Sequence, residues 1–290
     1  GEIRGQNTYL GAMAFDARTA DIDLAGVLTS DSDRLFSYLG GAGHTITLGG
    51  GNTYTGQSNI NGITVKASAL ANIGSVSSFG TGDGVNVLGK INLANGVLSY
   101  VGGSISSDRN FTSDGSSKIA NDAADGLSAM TLTGTASFVA GGVDTLALGG
   151  SSTGANVFSG AISGTGNLVM DGAGSWALNG ANTYAGTTTV TRGTLIAGSA
   201  NAFGASKGLV VNGGTLDTNG QAIVAPSLAG TGGTVDVDGG SLTLNSASGS
   251  TSYAGSITGA GGLTKLGAST QTLTGTNTYT GATTIGGGTL

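Results

Sequence analysis

The chain has no cysteine, one proline and one glutamate, Glu2, in 290 residues. Without cysteine there is no disulfide framework and no thiolate metal site, although an oxidising compartment stays open. Collagen is excluded, because proline is nearly absent and the 58 glycines follow no strict three-residue period. Charge is also scarce, at 9% of residues. Disordered chains are usually rich in charge and proline and poor in apolar residues; this one is 38% hydrophobic with positive mean hydropathy, enough to bury a core. No apolar run approaches the roughly 20 residues that span a bilayer, so no membrane insertion is expected of this segment. If the protein is exported, its targeting segment is expected to lie outside these residues. The ten basic residues run from Arg4 to Lys265 without forming a stripe, and the net charge is −6. Both facts argue against a nucleic-acid partner.

What is present favours strands and turns. Asp, Asn and Gly suit turns, while Thr, Val, Ile and Leu suit strands. Short segments alternate apolar and polar residues: Ile46-Thr47-Leu48, Val85-Asn86-Val87, Ile91-Asn92-Leu93, Val235-Asp236-Val237 and Leu242-Thr243-Leu244. A period of two puts both apolar side chains on one face of a strand. Between the segments lie Gly-Gly, Asn-Gly, Asp-Gly and Thr-Gly pairs, which supply the positive φ of sharp turns.

Repetition separates a solenoid from a sandwich. Residues 155–195 lie over 250–290 without a gap at an offset of 95, placing Asn182-Thr183-Tyr184 on Asn277-Thr278-Tyr279 (277 − 182 = 95). Gly193-Thr194-Leu195 recurs as Gly214-Thr215-Leu216 and Gly233-Thr234-Val235, at steps of 216 − 195 = 21 and 235 − 216 = 19. An aromatic two residues before a glycine recurs as Phe158, Tyr184, Tyr253 and Tyr279, with steps of 184 − 158 = 26 and 279 − 253 = 26. Units of about 20 to 26 residues, each with two or three short strands, match the coils of a parallel β-helix. About 13 such coils would make a rod about 60 Å long. Asn side chains are expected to form amide ladders at the turns, and Phe158 is expected beneath Tyr184, and Tyr253 beneath Tyr279, with rings within about 7 Å.

A more diverged copy spans residues 46–74, with Asn52-Thr53-Tyr54-Thr55-Gly56 matching Asn182 to Gly186, and Asn7 to Gly11 resembles a further remnant. The domain expectation is one body over 1–290: less regular coils at 1–45, including an Asp-rich stretch at 12–43, then regular coils at 46–290. No Pro-rich or charge-rich linker interrupts them. The match would continue past Thr289-Leu290 as it does into Ile196-Ala197-Gly198, so a longer protein is expected.

Gly259-Ala260-Gly261-Gly262-Leu263-Thr264-Lys265-Leu266-Gly267, Thr272 to Gly281 and Thr283 to Leu290 together resemble the autotransporter-associated β-strand repeat. Gly164 to Leu195 matches well and Asn52 to Val65 more weakly; together these motifs cover somewhat under half of the chain. The resemblance is to passenger domains of bacterial type V secretion proteins. It implies a right-handed parallel β-helix, export to the bacterial cell surface or beyond, and a C-terminal β-barrel translocator outside this chain. Nothing here reads as the long alternating strands of such a barrel. Family passengers serve as adhesins, aggregation factors, toxins or carriers of a protease, and scarce cysteine and bulky aromatics suit passage through a narrow pore.

No residue is assigned a catalytic, cofactor-binding or metal-binding role, and no cofactor is expected. His44 is the only histidine, and Gly43-His44-Thr45 lacks the Asp-Asp and Arg-x-Lys companions found in β-helical pectin hydrolases. Asp21-Ile22-Asp23 and Asp31-Ser32-Asp33 place carboxylates where calcium could bind, or where water simply solvates a turn. Gly82-Asp83-Gly84 and Asp236-Val237-Asp238 are weaker versions of the same pattern. The Gly-x-Gly strings lack the helix and lysine of a phosphate loop. Thr187-Thr188-Thr189 and Thr283-Thr284 do not recur coil after coil, as an ice-binding array would. Trp176 aligns with Gln271, read as outward, so it is either a contact point for glycan or another chain or a partly packed strand residue.

The function expected is a surface-displayed or secreted stalk or adhesin for attachment or self-association. Its partners would be a host-cell or matrix glycan or protein, or another copy of itself. A host-directed effector and a polysaccharide-processing enzyme are the alternatives. Specific activity is expected where the repeat fails, at 12–43 and 100–130.

Overall fold

The computed structural model describes residues 3–5, 13–30, 34–41, 43–82, 90–139 and 141–290. Val85-Asn86-Val87, Asp31, Asp33 and Asn7 to Gly11 lie outside the described residues. The alternating segments stack inward, coil on coil. Ile46, Val65, Leu98, Ile119, Leu148, Met170, Val190 and Val211 are direct partners in successive parallel strands, and all are fully buried. Each such side chain contributes about 1.5–3 kcal/mol by leaving water. The polar residues between them, such as Thr47 and Asn92, stay half-buried on the outer side.

Each coil has three faces. The first runs from Ile22–Leu24 through Thr45–Leu48, Thr64–Ala67, Val97–Tyr100, Ser116–Asn121 and Thr145–Gly150. It continues into the first halves of Asn167–Leu178 and Thr188–Ala197, then Leu209–Val211, Leu228–Ala229, Ser250–Tyr253 and Thr270–Leu273. The second carries Ile105–Ser107, Met130–Leu132, Ala155–Phe158, the second halves of those two long strands, Thr215–Asp217, Thr234–Asp236 and Ser256–Thr258. The third begins with Met13–Ala17 and Phe36–Gly40, and ends with Ser241–Asn245, Gly262–Leu266 and Thr283–Ile285. All strand pairs are parallel and no helix occurs among the described residues. The expected parallel β-solenoid is therefore what forms, with about 12 turns.

Coil length varies at the corners. Tyr253 pairs with Leu273 after 273 − 253 = 20 residues, but Ala67 pairs with Tyr100 after 100 − 67 = 33 and Ile119 with Leu148 after 148 − 119 = 29. The 33-residue coil replaces its second-face strand with a loop at 69–82. The fully buried Arg109 holds that loop by donating to the carbonyls of Ala71, Phe79 and Gly80. The steps of 21 and 19 are direct pairings, Leu195 to Leu216 and Leu216 to Val235.

The recurring Asn-Thr-Tyr-x-Gly string is a corner device. Asn52, Asn182 and Asn277 accept the backbone N–H of Leu28, Ile162 and Ile257 in the preceding coil, at 2.8, 2.8 and 2.9 Å. Each tyrosine hydroxyl meets the residue four positions on: Tyr54 with Ser58 at 2.8 Å, Tyr184 with Thr188 at 2.7 Å and Tyr279 with Thr283 at 2.7 Å. The glycine allows close approach, since a Cβ at Gly56, Gly186 or Gly281 would strike the carbonyl of Arg34, Gly166 or Gly261. Asn156 does the same work for the Met130 N–H and accepts Asn121 Nδ2 at 2.7 Å. Asn59 and Asn92, paired in register, bond at 2.8 Å. The corner asparagines thus cap backbone N–H groups and do not stack into the expected amide ladders, and the amide-to-amide bonds are single pairs.

The aromatic register differs from expectation. Phe158 pairs with Leu178 and Tyr253 with Leu273, while Phe158 finds a ring only across the core, in Phe111 at 6.4 Å. The reason is geometric. A step of 26 is one coil of about 20 plus a corner, so Phe158 lies on the second face and Tyr184 follows the third-face pairing of Thr183 with Ile162.

Candidate binding face

The outer side of the first face gathers charge that the sequence scatters. Lys66, Ser99, Ala120, Gly149, Asp171 and Arg192 form one row of paired positions across six rungs. Beside it run Val97, Lys118, Ala147 and Val169. Six rungs at about 4.8 Å span about 24 Å along the rod axis. Two shallow, open hollows of about 560 and 440 Å³ lie along this face and share Lys118 and Asp171 in their walls.

Local sequence explains the shape. Ala120 and Gly149 are small enough that the floor stays low and buried, and a Cβ at Gly149 would meet the Lys118 side chain lying over it. Lys118 thereby reaches two rungs along, donating from Nζ to the Asp171 carbonyl at 3.0 Å and approaching Asp171 Oδ2 at 3.4 Å. Arg192 Nε donates to Asp171 Oδ1 at 2.7 Å. The Arg192 hydrogen bond, helped by Lys118, holds the Asp171 carboxyl below the usual range. Ser99 Oγ and the Ser151 N–H both donate to Asp122, at 2.7 and 2.8 Å. Asp171 and Asp122 are thus answered internally, while Arg192 and Lys66 remain exposed.

The residues singled out in the sequence lie elsewhere. His44 follows Gly43, a turn glycine at φ +92°, and its Nδ1 sits 3.4 Å from Asp21 Oδ1. Asp21 accepts the Thr45 N–H at 2.8 Å, and that bond keeps its carboxyl low. Asp236 and Asp238 are occupied by turn N–H groups: Asp238 N donates to Asp236 and Ala260 N to Asp238. No cluster of three or more potential metal ligands occurs among the described residues. Thr188 is fully buried against Tyr184, so the Thr187 to Thr189 run presents no flat hydroxyl array.

Trp176 takes the packed alternative, and more fully than expected. It is 1% exposed, and its indole N–H donates to the Gly149 carbonyl at 3.3 Å, bracing the groove floor from within. Its counterpart Gln271 also points inward, accepting the Leu228 N–H at 3.2 Å and donating to the Leu228 carbonyl at 2.8 Å. A polar residue read as outward is an inward amide paired with backbone. The basic row went unseen because Lys66, Lys118 and Arg192 are 52 and 74 residues apart (118 − 66 and 192 − 118). Only the coil register, with its two long loops, brings them together.

Chemically the face offers hydroxyls, cations and a low floor. Comparison with known proteins agrees with a passenger scaffold. The family described as passenger-associated-transport-repeat matches residues 168–197 and 263–290, the two segments whose corners are built alike. The chain is 46% identical over 242 residues to the protein named "Adhesin BmaC autotransporter" from Brucella suis biovar 1 (strain 1330). That match covers 83% of this chain and 7% of that protein. No solved structure gives a significant match. The repeats, the parallel solenoid and this likeness together establish that the chain belongs to the bacterial autotransporter passengers, which are displayed at the cell surface or outside the cell.

Proposed function

We propose that this segment is the stalk and adhesive surface of an autotransporter adhesin, attaching the bacterial cell to a host or matrix glycan or protein, or to another copy of itself. The observation that supports the reading is the pairing of a continuous hydrogen-bonded ladder of about 12 turns with an open, charged and hydroxyl-lined face. The likeness to a protein named an adhesin adds to it. A C-terminal β-barrel outside these residues would act as translocator, and the described coils form one continuous length of the displayed rod. Catalysis is not part of the proposal: the single histidine, His44, sits on a turn beside Asp21.

The test is display of this chain on a non-adherent bacterial host, with attachment to matrix-coated surfaces and cell clumping both scored. Attachment or clumping above the level of the empty translocator is expected. Binding of the isolated chain to a soluble receptor without either effect would point to an effector instead. Polysaccharide cleavage abolished by His44→Ala would overturn the non-enzymatic reading.

A further inference from the structure

We propose that the first-face groove binds an extended acidic polysaccharide, with Lys66, Lys118 and Arg192 as its anion contacts; this rests on the adhesin reading and names its ligand. The groove is elongated along the rod and open at its sides, which suits a chain better than a compact molecule. Its charge runs against the rest of the protein. Three of the ten basic residues meet two of the sixteen acidic ones here, leaving the groove net positive on a chain of net charge −6. Both carboxylates are already engaged, Asp171 by Arg192 and Lys118 and Asp122 by Ser99 and the Ser151 N–H. They therefore orient the cations and donors and do not compete for a ligand's own. Arg192 uses Nε on Asp171 and leaves the outer edge of its guanidinium toward solvent, where a planar anion can be met by two N–H groups.

Neutral sugars are usually held by stacking on aromatic rings, and no described Phe, Tyr or Trp is exposed. Charge is what this face has to offer. The charges are also not part of the repeated scaffold: at the 95-residue offset Asp171 becomes Leu266 and Arg192 becomes Gly287. The repeat preserves the corner and core residues, and the groove departs from it.

Titration of the purified chain with fluorescently labelled hyaluronan (carboxylate only), dextran sulfate (sulfate only) and neutral dextran tests the proposal. Binding to one or both anionic chains, weakened by added salt, and none to dextran is expected; the two anionic arms tell carboxylate from sulfate recognition. The double variant Lys66→Gln, Arg192→Gln should bind about tenfold more weakly. Ala147→Glu, which puts a carboxylate on the groove floor, should do the same while circular dichroism stays unchanged. Equal binding of dextran, or unchanged affinity in both variants, overturns the proposal. Cell attachment retained with no binding of either anionic chain overturns it alone and leaves the adhesin reading standing.

Discussion

Asn182→Ala should be among the most damaging single changes in the rod. The side chain is 4% exposed and ties three successive coils. Its Oδ1 accepts the Ile162 N–H at 2.8 Å and its Nδ2 donates to the Ala202 carbonyl at 2.7 Å. Alanine strands one donor and one acceptor where water cannot reach. At about 1–3 kcal/mol for each unsatisfied group, the two together cost about 2–6 kcal/mol. Asn277 is the internal control. It accepts the Ile257 N–H at 2.9 Å, but its Nδ2 donates within its own coil to Gly275, and it is only half-buried. Asn277→Ala should therefore cost about 0.5–1.5 kcal/mol. Urea unfolding followed by circular dichroism gives the global effect. Solenoids can also open locally, so hydrogen exchange at the Ile162 and Thr183 amides should be read alongside. The reasoning is refuted if Asn182→Ala costs no more than Asn277→Ala, or if the Ile162 amide keeps its protection.

Arg109→Ala removes a buried guanidinium that donates to three loop carbonyls, so residues 69–82 should become the first site of limited proteolysis, and a cleavage pattern like that of the unaltered chain would count against the clamp. Trp176→Ala should cost about 3–5 kcal/mol as a core truncation; as the lone tryptophan it should also resist acrylamide quenching in the native rod, and ready quenching would place it outside. Burial raises the hydroxyl pKa values of Tyr54 and Tyr184 and pushes Tyr253 up to about 12. A raised folded-state pKa gives stability that is complete below the unfolded value near 10 and is lost as pH climbs through the folded value. Urea midpoints should accordingly fall between pH 10 and 12, less steeply in Tyr253→Phe; a flat profile across that window would refute the assignment.

The fold was legible because its cause is local and periodic. Ile46-Thr47-Leu48 and Leu242-Thr243-Leu244 show the inward alternation directly, and the Gly-Thr-Leu steps of 21 and 19 are true coil lengths. The aromatic steps misled because a motif at a corner can recur one coil plus one face later, and spacing alone does not say which. Gln271 misled for another reason: polarity predicts outward placement only when no backbone group inside needs a partner, and Leu228 does. The charged first face was illegible from the chain alone. Its residues are brought together by a 33-residue and a 29-residue coil, whose lengths follow from loops that carry no periodic signal.

The 95-residue block does not equal a whole number of turns, and this governs where specificity can reside. Ala155–Phe158 lies in a column on the second face, in which Val157 is followed by Ala177, Ile196, Asp217, Asp236 and Thr258. Its counterpart Ser250–Tyr253 instead joins the first face, in line with Leu209–Val211 and Leu228–Ala229. The copies make the same local bonds: Leu168 pairs with Thr188 as Leu263 does with Thr283, and Asn182 caps Ile162 as Asn277 caps Ile257. They make them a third of a turn apart. A block that works on any face can encode only what all three faces share, an inward apolar residue and a corner of Asn, Tyr and Gly. Identical outer residues in the two copies would point in different directions and could not build one continuous surface. A binding face along this rod must therefore be written in residues that differ between the copies, as Asp171 and Arg192 do, or that lie outside them, as Lys66 and Lys118 do.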